Sequence, residues 1–250
     1  MEAVIANLIH DKPSLLACSM TCYSWYIAAV PHLHHSLTTD NRSCDPRARW
    51  PKPLQKSYGL GLLPLVKRFR IRMGGYSTGF APERLDRHPM RYWSALTNLQ
   101  ELGIDDLQVS SFMPNIHQYF GHFAPTLRFL ALRKPSGSSR QLLCFIGLFP
   151  NLQDLKIIFG SPQQDKGSTD DEAPLPLSVP PLRGELTLMF FAREDFVRDM
   201  IVPFKGLRFR SVDLYAVKPA QLFLDGCAGT LETLRWYPFD PLGEEVFQSG

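Results

Sequence analysis

Apolar and polar positions along this 250-residue chain fall into a recurring figure, apolar-x-x-apolar-x-apolar. The figure closes on the alternation of a half-buried strand. Asn98-Leu-Gln-Glu-Leu-Gly-Ile104 is nearly duplicated by Asn151-Leu-Gln-Asp-Leu-Lys-Ile157, and Ala124-Pro-Thr-Leu-Arg-Phe-Leu130 by Ala228-Gly-Thr-Leu-Glu-Thr-Leu234. Weaker copies are Leu65-Val-Lys-Arg-Phe-Arg-Ile71, Leu182-Arg-Gly-Glu-Leu-Thr-Leu188 and Leu207-Arg-Phe-Arg-Ser-Val-Asp-Leu214. Registered on the penultimate apolar residue, the copies stand at Phe69, Leu102, Leu130, Leu155, Leu186, Val212 and Leu234, 22 to 33 residues apart.

Between the copies the period changes to that of a helix. Ile116, Tyr119, Phe120 and Phe123 share one face, as do Phe196, Val197, Met200 and Ile201. Shorter helical patterns cover 90–95, 140–147 and 220–224. Pro125 and Pro150 stand just before two of the copies, where a helix has to end. A short strand and a helix cannot bury an apolar face alone, so units repeated at this spacing must stack on their neighbours. The competing reading is a compact α/β domain whose leucine figures recur by chance. A polar, acidic stretch near 160–178 breaks the pattern and reads as a disordered insertion. In it Ser168 and Thr169 precede Asp170, Asp171 and Glu172, which reads as a solvated loop.

The first forty residues differ in character. The spacing predicts one helix over about 12–29, capped by Asp11 with Pro13 in its first turn. Leu15, Cys18, Cys22, Trp25 and Ala29 make one stripe; Leu16, Met20, Tyr23 and Ile27 make another, roughly 160° away. A helix apolar on two sides is either sandwiched within its own protein or shared with a partner. Forty residues at a terminus offer little to cover both sides, which points to a partner or to the adjoining repeats.

Composition excludes more than it assigns. With 44% hydrophobic and 20% charged residues, collagen-like, coiled-coil and wholly disordered readings fall away. No apolar run reaches the ~20 residues of a membrane span, and the start lacks the basic region of a signal peptide. The five cysteines, an odd number, make no secreted disulfide framework, so a cytoplasmic or nuclear protein is expected. The net charge of +3 divides unevenly, because 42–91 hold 12 basic residues against three acidic ones. A solvated linker face is preferred there over a nucleic-acid surface, since no known module interleaves base-stacking aromatics with it. There is no phosphate loop, G-x-S-x-G or H-E-x-x-H, so no catalytic residue and no cofactor are expected. Cys18 and Cys22, with His32, His34 and His35 nearby, lack zinc-loop spacing; two buried cysteines acting as small hydrophobes explain the pair better.

The L-x-x-L-x-L figure resembles the leucine-rich repeat over about residues 62–239, although the asparagine or cysteine that follows the strand in that family is missing in most copies. Asp11-Lys-Pro-Ser-Leu-Leu-Ala-Cys-Ser-Met-Thr-Cys-Tyr-Ser-Trp25, followed by Pro31-His-Leu33 and Leu37, resembles the second half of an F-box. The chain is most similar to fungal F-box proteins with irregular leucine-rich repeats; the family's opening Leu-Pro-x-Glu is absent, which implies an N-terminally truncated F-box. The fold this implies is α/β: a helical F-box over 1–40, a basic linker over 41–61, and an irregular solenoid over 62–250 with a curved parallel sheet and helices on its convex side.

The function implied is that of a substrate-recognition adaptor of a Skp1-cullin-F-box type ubiquitin ligase. Leu15, Leu16, Met20, Cys22 and Trp25 would serve a Skp1-like adaptor protein, partly as the F-box core and partly as contacts. The alternative is a non-catalytic repeat scaffold with no ubiquitin role. In a leucine-rich repeat the residues between the inward ones face the target, and period 2 identifies them. Aromatic and arginine side chains dominate binding hot spots. Phe129, Arg133, Tyr215, Arg235 and Tyr237 are the expected target contacts, and Arg68, Arg70 and Arg72 an end suited to an acidic or phosphorylated target.

Overall fold

The computed structural model describes residues 1–40, 52–73, 89–160, 182–189, 194–201, 208–215, 220–227 and 229–237. The insertion near 160–178, Ser168 and Thr169 included, lies outside these residues except at its first position, as do 41–51 of the basic linker. The chain divides into two compact units, Met1–Ile104 and Asp105–Gly250.

The first unit opens with three helices, α1 (Glu2–Asn7), α2 (Lys12–Ser19) and α3 (Tyr23–Leu33). Asp11 caps α2 as expected, accepting from the Ser14 amide at 3.2 Å and the Ser14 hydroxyl at 2.5 Å. These two bonds hold the Asp11 carboxyl below its usual range. The continuous helix expected over 12–29 does not form. Ser19 Oγ donates to Leu16 O at 2.7 Å and Thr21 Oγ1 to Ala17 O at 3.2 Å, so hydroxyls take carbonyls at the end of the turn. Cys22 is then fully extended and α3 starts afresh.

A strand follows where helical F-box had been expected: β1 (Ser36–Asp40) pairs in parallel with β2 (Arg68–Arg72), Leu37 against Phe69 and Thr39 against Ile71. The last five of the first forty residues thus belong to the sheet. The segment read as a linker also contains a helix, α4 (Lys52–Gly59), whose Tyr58 meets Tyr92 of α5 (Pro89–Ser94) edge to face at 4.9 Å. In sheet order β2 is followed by β3 (Glu101–Asp105), most of which lies in the first unit. Phe69, Ile71, Trp93, Leu96, Leu102 and Ile104 are buried beneath these strands.

The second unit alternates strands and helices: α6 (Val109–Phe112), α7 (Ile116–Phe120), β4 (Phe129–Arg133), α8 (Ser139–Gly147), β5 (Asp154–Ile158), β6 (Glu185–Met189), α9 (Glu194–Ile201), β7 (Ser211–Tyr215), α10 (Ala220–Cys227) and β8 (Thr233–Tyr237). Strands β4 to β8 are parallel and in chain order. Leu130 pairs with Leu155, Leu155 with Leu186, Leu186 with Val212 and Val212 with Leu234, which is the register of the leucine figures. The protein is thus an α/β fold of short parallel strands and intervening helices.

Helix contacts keep the same order, α6 on α8, α8 on α9 and α9 on α10. Edge-to-face rings run through the first of them: Phe112 on Phe120 at 5.7 Å, Phe120 on Phe145 at 5.0 Å, Phe145 on Phe149 at 5.4 Å. Each such pair contributes roughly 0.5–1.5 kcal/mol beyond its burial. A capping box fixes the start of α8: Ser138 Oγ accepts from the Gln141 amide, and Gln141 Oε1 from the Ser138 amide.

Backbone bonds explain why repeats of unequal length share one register. The carbonyl just before a strand accepts two consecutive amides of the next repeat. Lys67 O takes Gln100 and Glu101, Arg128 O takes Gln153 and Asp154, and Arg210 O takes Glu232 and Thr233, all at 2.8–3.0 Å. The duplicated asparagines add a side-chain rung, Asn98 Nδ2 to Pro64 O at 2.9 Å and Asn151 Nδ2 to Pro125 O at 2.8 Å. At β6 the pattern changes: Glu185 N–H donates to Asp154 Oδ1 at 2.6 Å instead. A Cβ on Gly184 would sit 1.8 Å from that oxygen, so the repeats close there only over glycine.

Two predictions follow from this packing. Gly184→Ala should lower stability by about 1.5–3 kcal/mol, the scale of a displaced hydrogen bond to a charged group. In Asp154→Ala the same change should cost much less, and a double-mutant cycle in urea measures that coupling. His34 and His122 are both pushed below the usual imidazole range by burial, His34 also by Lys12. Burial leaves His122 Nε2 without a partner among the described residues. As pH falls the unfolded chain takes up these protons first, so stability is fully present above about pH 6.5 and declines below it. His122→Phe should flatten that decline in urea midpoints between pH 7.5 and 5; an unchanged slope contradicts the assignment.

Candidate functional site

The N-terminal helices pack around a small core of Ile5, Leu15 and Ala29, with Leu8, Cys18, Trp25, Ala28 and Leu33 partly buried against it. Their opposite side stays apolar and open. Met20 and Tyr23 are 79% and 78% exposed, and Leu16 and Ile27 are more than half exposed. The two stripes thus separate except at Cys22, although a turn interrupts the helix across both.

Of the five expected docking residues, Leu15 is core and Trp25 is half-buried on that core, while Leu16, Met20 and Cys22 are exposed. Cys22 corrects the reading of two buried cysteines, because its extended backbone at the start of α3 turns it to solvent. Val4 and Tyr26 are also large apolar side chains left exposed. Tyr26 was legible in principle, three residues beyond Tyr23, but it falls between the two stripes.

The strands carry the second set of candidates. Phe69, Ile71, Leu102, Ile104, Leu130, Leu132 and their counterparts through Leu214 are buried, and the residues between them reach the surface. Two corrections apply. Asp105, which period 2 sets outward with Glu101 and Gly103, is buried; Leu234 and Trp236, which it sets inward, are 39% and 57% exposed.

On the exposed side most of the expected contacts already have neighbours. Arg68 Nε pairs with Glu101 Oε1 at 2.8 Å, and neither Arg70 nor Arg72 is a free cation. The Arg70 stem crosses Gly103, where a Cβ would stand 3.2 Å from its Cγ. Arg68 is thus paired already, and Arg70 and Arg72 each have an interaction of their own. Arg235 meets Asp213 at 3.3 Å, and Tyr215 lies flat on Tyr237 with ring centres 4.2 Å apart. Burial first, then the hydrogen bond to Tyr237, raise the Tyr215 hydroxyl above the usual phenol range. Register brings Arg133, Ile158, Met189, Tyr215 and Tyr237 into one row, polar at its start and aromatic at its end. Phe129, half-buried, pairs with Asp154 at the other end of the strands.

Three arginines escaped the sequence reading. Arg183, Arg208 and Arg210 precede β6 and β7 at different offsets from their strands, so no fixed period could align them. Among the described residues no group of three His, Cys, Asp or Glu side chains is placed to hold a metal ion. No helix among them is long and apolar enough to cross a membrane.

No protein-family model matches the chain, and no curated protein matches it.

The two sides of α2 and α3 should respond differently to truncation. Trp25→Ala removes a half-buried ring and should cost about 2 kcal/mol, near half the value for a fully buried aromatic. Met20→Ala should stay within about 0.5 kcal/mol. Thermal or urea unfolding of the two variants checks the difference.

Proposed function

We propose that the protein is a substrate-recognition adaptor of a Skp1-cullin-F-box type ubiquitin ligase, holding a target protein on the exposed side of its strands. The observation that carries this reading is the open apolar side of α2 and α3, where Leu16, Met20, Tyr23 and Ile27 have no cover among the described residues. Exposed contiguous apolar surface of this kind marks interaction sites. The F-box-like order of Leu15, Leu16, Met20, Cys22 and Trp25 names the partner as a Skp1-like adaptor. The parallel strands behind it supply a second surface whose chemistry varies from repeat to repeat, which suits recognition of a separate protein. Target contacts on that surface are Phe129, Arg133, Tyr215, Arg235 and Tyr237.

A second reading draws on Leu15 and Trp25, which pack inward. In that reading the helices only cap a non-catalytic interaction scaffold with no ubiquitin role.

Co-purification of the full chain with a Skp1-like adaptor separates the two. The wild-type chain should retain the adaptor, and Leu16→Asp with Met20→Asp should reduce capture at least tenfold while the melting transition is unchanged. Absence of capture by the wild-type chain, or equal capture by the double variant, removes the ubiquitin reading and leaves the scaffold.

A further inference from the structure

From Pro13 to Thr39 the chain holds no aspartate, glutamate, lysine or arginine, although 20% of the whole sequence is charged. The stretch takes in nearly all of α2, the turn after it, the whole of α3 and most of β1. Within it Leu16, Met20, Tyr23 and Ile27 average about two-thirds exposure. At ~200 Å² for a large side chain, they leave roughly 500 Å² of apolar surface in water. Cys22, also exposed, stands in the chain between the two most open of them, Met20 and Tyr23.

Monomeric proteins rarely leave more than a few hundred Å² of contiguous apolar surface uncovered. A standard interface buries ~800 Å² per partner, of which ~65% is apolar in homodimers. The open side of α2 and α3 thus supplies the apolar area that one half of a dimer needs. Two further features suit it to meeting its own copy. In a two-fold contact each patch meets itself, so a charge near the axis faces its like; this patch carries none. The hydroxyls of the turn are already spent, Ser19 Oγ on Leu16 O and Thr21 Oγ1 on Ala17 O, so covering them strands no donor. The face is also preset, because α2 and α3 are anchored through Leu15 and Ala29 in a shared core with Ile5, which keeps the ordering cost of association low.

We propose that, without an adaptor, this face is closed by a second copy of the chain in a two-fold dimer centred on Met20 and Tyr23. Dimer and adaptor then need the same residues, so self-association holds the chain out of the ligase until an adaptor displaces the second copy. That competition rests on the adaptor reading; the dimer itself does not.

The test is sedimentation velocity of the full chain alone over ~0.1–100 μM, a range that spans interfaces of this size. The mass should rise with concentration from 28.4 kDa toward twice that value. Leu16→Asp with Met20→Asp should weaken association at least about tenfold, since each new charge faces its like, with the melting transition unchanged. Trp236→Asp, at the exposed last strand, should leave the dimer as it is. Alkylation of Cys22 by iodoacetamide in reducing buffer, read by mass spectrometry, should slow severalfold as the dimer fills. This last readout uses the wild-type chain and so depends on no variant folding. A chain that stays monomeric, or Cys22 labelling that ignores concentration, overturns the proposal. A dimer that survives the double variant but is lost in Trp236→Asp overturns it in favour of the strand edge. Addition of a Skp1-like adaptor separates this inference from the reading behind it. Capture by a chain that never dimerises sinks this inference alone, and a dimer without capture sinks only the ubiquitin role. Adaptor bound to an intact dimer overturns the shared face.

Discussion

Much of the fold depends on the carbonyl that precedes a strand, which in five of the eight strands is shared by two amides. His35, Lys67, Arg128, Gly184 and Arg210 each offer one oxygen to two consecutive amides of the following repeat. A carbonyl has two lone pairs, so this arrangement satisfies it fully and leaves neither amide orphaned. It also fixes where the next strand begins. Once that point is set, the side-chain period of two determines which residues enter the core. The chain between strands is then free to vary in length. Spacings of 25, 31, 26 and 22 residues between paired positions from β4 to β8 coexist with an unbroken one-to-one register.

That constraint also explains what was legible. The seven strands from Arg68–Arg72 to Thr233–Tyr237 could be read because each holds two apolar residues at period two behind a leucine. The helix and turn over 116–123 could be read because Ile116, Tyr119, Phe120 and Phe123 repeat at helical spacing and are all buried. β1 could not, since Ser-Leu-Thr-Thr-Asp offers one apolar residue and its second inward position is filled by Thr39, which is buried. Nor could the break between α2 and α3, because the apolar stripes run straight through it while the hydroxyls that end the helix carry no apolar signal. The grouping of Arg183, Arg208 and Arg210 was invisible for a related reason, since they stand at unequal offsets that only the ladder brings together.

The N-terminal helices and the strands present surfaces of opposite character, and the contrast bears on how each can work. The helical surface is apolar and uncharged around Leu16, Met20, Tyr23 and Ile27, so association there is driven by area removed from water and is insensitive to salt. The strand surfaces are polar, and several of their charges are already paired, Arg68 with Glu101 and Arg235 with Asp213. Exposed pairs of this kind add about 0–1 kcal/mol to stability. Their larger effect is on selection, because a ligand that breaks such a pair must replace it. A constant partner suits the first kind of surface and a discriminated one the second.

The last strand shows how far the ladder can act without burial. All five residues of β8 are exposed, including Leu234 and Trp236 on the side that is buried in every earlier strand of the second unit. Hydrophobic burial therefore contributes little to holding it. What remains is the parallel pairing with β7, the double bond to Arg210 O, and the stacking of Tyr237 on Tyr215. Stacked rings contribute roughly 0.5–1.5 kcal/mol, and a net backbone hydrogen bond about as much. Segments held mainly by such terms open at lower free energy than the core. Thr230 and Glu232 immediately precede this strand, so they share its low opening energy.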